Sequence, residues 1–74
     1  MTLPPDPENM NYQRASWAEE ALRKFQRDTS CDEDDETVLA DLLCDLMHWC
    51  DRGKVDFHIA LRRGQDHYRE ETSE

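Results

Sequence analysis

Glycine and proline are scarce in this chain. Only Gly53 and Gly64 interrupt its 74 residues, and all three prolines, Pro4, Pro5 and Pro7, lie within the first ten. Everything after Pro7 is therefore without the residue that most strongly breaks a helix. Long apolar runs are absent too, and none approaches the roughly 20 residues needed to span a bilayer. The opening stretch MTLPPDPENM has neither the charged nor the apolar region of a signal peptide, so a cytoplasmic protein is expected. Cysteine numbers three, an odd count without an export signal, which argues against a disulfide framework and for reduced thiols. Cys44 and Cys50 stand six positions apart on one predicted helix, rotated about 240° from each other, and cannot easily pair within it.

The most informative absence is of positive charge between Asp28 and Asp51. That stretch holds nine of the eighteen Asp and Glu residues and no Lys or Arg, so the net charge of −9 is assigned to this third of the chain. A pI of about 4.6 argues against direct binding of nucleic acid or of an anionic membrane surface, since both would be repelled. It favours a basic protein surface as partner. At this length the chain is one small domain that buries only about 60% of its unfolded surface. With hydrophobic and charged residues each at 36%, a thin core under a solvated surface is expected, with no roomy enzyme cleft. Self-association, as a homodimer, would add stability.

Residues 1–10 read as a flexible Pro-rich arm, with Asn9 or Asn11 able to cap the first helix. From Asn11 to about Arg27, Ala15, Ala18, Leu22 and Phe25 recur at helical spacing, with Trp17 and Ala21 widening the stripe. Glu19 with Arg23, and Glu20 with Lys24, have the favourable order for pairs one turn apart. Asp28 to Asp32 reads as a connection, and Ser30, Asp32 or Asp34 is the candidate N-cap of the next helix. Helix two runs to about Asp51 and gathers Leu39, Leu42, Leu43, Leu46, Trp49 and Cys50 on one face. Its opposite stripe holds Asp34, Thr37, Asp41, Asp45 and His48. Gly53 is the expected left-handed residue at its end. Asp56 then caps helix three, which carries Phe57, Ala60, Leu61, Gly64 and Tyr68 on one face; Gly64 would allow a close helix contact. The tail beyond Glu70 should fray.

The expectation is an all-α fold, a small three-helix bundle over residues 11–70, with the arm before it and a frayed tail over 71–74. Its core should include Leu22, Phe25, Leu39, Leu42, Leu43, Leu46, Trp49, Phe57 and Leu61.

Three chemistries can be tested against the acidic stretch. Alternate oxygens at Asp28, Ser30, Asp32, Asp34 and Glu36 resemble a calcium loop, but Glu33 stands where its glycine belongs and Leu39 where its bidentate glutamate belongs. Cys44 and His48 lie one turn apart, yet no paired Cys or His motif of zinc spacing completes them; Cys44 is expected semi-buried, His48 solvated and Cys50 in the core. A Cys and His catalytic pair would need an oxyanion site as well, and acidic surroundings raise a thiol pKa. No catalytic residue, metal ligand or cofactor is assigned.

The segment TVLADLLCDLMHWCDRGKVDFHIALRR resembles the later part of the helical nucleotide pyrophosphohydrolases of the MazG type. Asp41 matches the final aspartate of that family's paired magnesium motifs. Val38 occupies the place of its glutamate partner, and Glu33 with Glu36 lies too close to serve as the first motif, so the resemblance implies helical architecture alone. In size, localised acid and helical pattern the chain also looks like the small acidic phage and mobile-element proteins that inhibit bacterial defence, anti-CRISPR and anti-restriction DNA mimics among them. That resemblance implies a non-enzymatic inhibitor in which Asp28, Asp32, Glu33, Asp34, Asp35, Glu36, Asp41 and Asp45 present carboxylates where phosphates would lie. The target would be the PAM-reading, nucleic-acid-binding surface of a defence complex such as a CRISPR-Cas subunit. The alternative is a small helical adaptor or dimerisation module that binds through an apolar surface including Trp17 and Met47.

Overall fold

A computed structural model describes residues 3–73. It is all-α: helices α1 (Asn11–Thr29), α2 (Asp35–Gly53) and α3 (Phe57–Thr72) succeed one another along the chain, and no strand occurs among the described residues. Both α1 and α3 pack on α2. None of the three is long and apolar enough to cross a membrane.

Each helix end has a local cause. Asp34 accepts a hydrogen bond from the Thr37 amide at 3.1 Å, and Asp56 one from the Ile59 amide at 3.1 Å. Both satisfy amides that a helix start leaves without partners. Helix α1 is capped differently from expectation. Neither Asn9 nor Asn11 serves; the Asp6 carboxylate reaches ahead to accept from the amides of Met10 at 3.0 Å and Asn11 at 3.2 Å. Asn11 is thereby released to donate from its side chain to the carbonyls of Pro5 at 3.3 Å and Glu71 at 3.0 Å.

Helices α1 and α2 end in the same way. A residue with left-handed φ comes after each, Ser30 at 53° and Lys54 at 58°. The next amide bonds back across the turn, Cys31 to the Gln26 carbonyl at 3.1 Å and Val55 to the Cys50 carbonyl at 2.9 Å, as in a Schellman ending. The left-handed position therefore falls on Lys54, and Gly53 is the last helical residue.

The segment leading into α1 meets the last turn of α3, which corrects the expectation for both. Glu71 receives the Asn11 side chain on its carbonyl, and its carboxylate lies 3.5 Å from Arg14 Nε; Arg14 Nη2 also holds Glu8 at 3.0 Å. These links, with the Asp6 cap, tie residues 6–11 down where a free arm was expected. The same contacts carry α3 through Thr72 where fraying was expected from Glu70; Glu74 lies outside the described residues. Of the surface pairs, Glu19 and Arg23 form at 2.8 Å, whereas Lys24 turns forward to Asp28 at 2.8 Å and leaves Glu20.

The largest correction concerns the core. Among the described residues only Val38, 0% exposed, and Cys50, 5% exposed, are buried. Leu22, Phe25, Leu42 and Phe57 are half-buried, while Leu39, Leu43, Leu46, Trp49 and Leu61 are exposed. The radius of gyration, 14.2 Å, shows why. A compact domain of this length would have about 11 Å, so the helices are splayed and their apolar stripes are not covered. Gly64, read as allowing a close helix contact, has nothing within 4 Å of where a side chain would begin.

A left-handed φ costs a side chain about 1–2 kcal/mol that glycine does not pay. Lys54→Gly is expected to stabilise the fold by about 0.5–1 kcal/mol after the added unfolded-state entropy, read from urea unfolding. The Asp34 carboxyl is held below its ordinary pKa, first by its hydrogen bonds with Thr37. Its contribution is therefore present above the unfolded value of about 3.9 and lost as pH falls through the depressed folded value. Thermal melts should show Asp34→Ala well below the wild type at pH 7, with the gap closing as the pH is lowered below the ordinary carboxylate range.

Candidate functional site

The acidic stretch is shaped by the turn that joins α1 to α2. After Ser30 reverses the chain, Cys31, Asp32 and Glu33 cross to the Asp34 cap. Helix α2 then carries Asp41 and Asp45 one turn apart, about 6 Å along its axis. The result is an open hollow of about 430 Å³ lined by Phe25, Thr29, Ser30, Cys31, Asp32, Glu33, Asp41, Cys44 and Asp45. Four carboxylates converge on it, and neither Lys nor Arg lines it.

The eight carboxylates expected to act together are divided by the fold. Asp32, Glu33, Asp41 and Asp45 share the hollow. Asp28 is paired with Lys24 at 2.8 Å, and Asp35 with Arg23 at 3.1 Å. Asp34 is occupied by its capping bond. Glu36 stands about 140–180° around α2 from Asp41 and Asp45, on another side of the helix. The Arg23 guanidinium is held above its ordinary pKa first by Asp35 and then by Glu19, so the acid at Asp35 is locally neutralised.

Sequence reasoning did not place Cys31 in this site. Its Sγ donates to Asp41 Oδ2 at 3.6 Å, joining the connection to α2 across the mouth of the hollow. Residues ten apart, one in a turn and one in a helix, obey no periodic pattern, so nothing in the sequence marks the contact. Burial first, and then the hydrogen bond to Asp41, push the Cys31 thiol up from its ordinary pKa. A raised pKa leaves less thiolate near neutrality, the opposite of an activated nucleophile. Cys44, expected semi-buried, is exposed at the hollow's wall, Cys50 is buried, and His48 is exposed as expected. Among the described residues no three His, Cys, Asp or Glu side chains are grouped to hold a metal ion.

Comparison with protein-family models, with curated proteins and with solved structures finds no match to this chain.

Replacing Asp41 by Asn removes the negative charge beside Cys31. The thiol pKa then falls, and the rate of Cys31 alkylation, monitored by peptide mass spectrometry against pH, shifts to lower pH relative to the wild type, with an added free thiol as the reference.

Proposed function

We propose that this protein acts by binding, as a non-enzymatic inhibitor whose acidic hollow docks on a basic, nucleic-acid-binding surface of another protein. The observation that carries this reading is the convergence of Asp32, Glu33, Asp41 and Asp45 on one concave surface lined by no base. Grooves that hold phosphate backbones present Arg and Lys, and a rigid set of carboxylates competes for the same charge-assisted hydrogen bonds. Two of the four sit on α2 and two on a connection fixed at both ends by the Schellman turn and the Asp34 cap. Such preorganisation lowers the ordering cost of association. The partner class suggested by the sequence resemblance is a bacterial defence complex, such as a CRISPR-Cas subunit at the groove where it reads duplex DNA.

A second reading is favoured by a different observation. Trp17 and Met47 are 52% and 44% exposed, and Trp49 is 62% exposed, which suits an adaptor or dimerisation module that binds protein through apolar surface.

The readings separate under salt and charge. Tagged protein incubated with bacterial lysate, at low and high ionic strength, is compared with an Asp41→Lys/Asp45→Lys variant shown to be folded by circular dichroism. Capture of a DNA- or RNA-handling complex that is lost with both salt and the double substitution supports the acidic site. Capture that survives both sinks it and moves binding to the apolar surface.

A further inference from the structure

The chain exposes more surface than a compact monomer of its mass. The chain exposes 6571 Å². Folded monomers expose a surface that scales with mass to the power of about 0.73, which for 8.8 kDa gives about 4,800 Å². The excess, roughly 1,800 Å², lies in the range of about 1,000–2,500 Å² that each chain of an obligate homodimer covers. Part of the exposed surface is an apolar face with a definite location. Leu39, Leu43, Leu46 and Met47 are each between 40% and 48% exposed and fall within about 100° of one another around α2. Leu43 shares a hollow of about 730 Å³ with Leu61, Gly64 and Tyr68 of α3, so the two helices present one continuous apolar face.

We infer that a second copy of this chain covers that face, in an isologous two-fold pair that sets α2 of each copy against α3 of the other. Three observations select this occupant. The face consists largely of side chains whose spacing builds the fold, and with only Val38 and Cys50 buried among the described residues its cover must be present whenever the chain folds. A second copy is the partner made in fixed proportion. The charges bordering the face are also complementary under this symmetry. Glu36 and Asp51 flank Met47 on α2, while Arg62 and Arg69 flank Gln65 on α3; among the described residues, Glu36, Asp51 and Arg62 form no ion pair within the chain, whereas Arg69 is already paired with Asp66. Crossing α2 over α3 brings opposite signs together at the rim. Finally, Asp41 and Asp45 lie about 160° around α2 from Leu43, so the pair forms without opposing the two acidic hollows.

Gly64 then has a use. Gly64 has no close neighbour within one chain, and in the pair it lets a helix of the second copy approach α3 closely. The inference does not depend on the acidic hollow, which the pair leaves open on both copies. It commits the apolar face to one occupant where the adaptor reading leaves the partner open.

The test is the native mass of the full chain by sedimentation equilibrium, for the wild type and three variants. The expected wild-type mass is about twice 8.8 kDa at roughly 100 µM, with a thermal midpoint that rises with protein concentration. Gly64→Leu adds a side chain where this chain has nothing within 4 Å; its dimer should weaken about tenfold or more. Tyr12→Ala, on exposed α1 surface, and Asp41→Lys/Asp45→Lys should leave the mass unchanged. A monomeric wild type at that concentration overturns the inference, as does a Gly64→Leu dimer as tight as the wild type. If Gly64→Leu does not fold, the wild-type midpoint decides: a rise with concentration supports the pair, and independence from concentration overturns it. A monomer that still captures a partner through its apolar residues would leave the adaptor reading standing without the homodimer.

Discussion

Helix α2 is buried at two points, Val38 near its start and Cys50 near its end, and the rest of the chain is arranged around that spacing. Twelve positions, more than three turns, separate them. The end bearing Val38 adjoins α1, and the end bearing Cys50 adjoins α3, whose entry is fixed by the Val55 amide on the Cys50 carbonyl. Between the two points the α2 leucines have partial cover only. Full burial of a Leu or Val side chain stabilises by roughly 1.5–3 kcal/mol, so most of the stabilisation available from this helix is not realised inside one chain.

The same spacing separates two surfaces with different chemistry. Asp41 and Asp45 fall on one side of α2 and join Asp32 and Glu33 from the turn in an acidic hollow. Leu43 falls on the other side and joins α3 in an apolar one. A helix of 19 residues can carry both because a side chain's direction advances about 100° per residue. Repulsion among the carboxylates is eased unevenly. Asp28 and Asp35 find bases on α1 and Asp34 finds the amide of Thr37, whereas the four in the hollow have no base as partner among the described residues and only Asp41 is met by a donor, the Cys31 thiol.

Much of this was legible from local rules. The three helices, the cap at Asp56, the Asp34 cap as one of three candidates, the turn near residue 30 and the exposed His48 arise from periodicity and from short-range hydrogen bonding, which involve neighbours in sequence. The cap at Asp6 was missed because it acts from four and five residues away across a proline. The left-handed Lys54 was missed because preference pointed to the adjacent Gly53, while the turn's hydrogen bonds set the position one residue later. The fraying expected beyond Glu70 failed for a tertiary reason, since Asn11 and Arg14, some sixty residues earlier, hold Glu71.

By itself, then, the sequence determined the all-α class, the order and approximate bounds of the helices, and the confinement of net charge to Asp28–Asp51, because each depends on residue type and on spacing within one helix. Tertiary structure alone decided which apolar residues are buried and which acids share a surface. Periodicity shows that Leu43, Leu46 and Leu61 have a common side to cover, but not how far apart two helices lie. Likewise, a run of carboxylates carries its charge wherever it goes, while the turn at Ser30 and the pairing of Arg23 and Lys24 determine that Asp32, Glu33, Asp41 and Asp45 converge and that Asp28 and Asp35 do not.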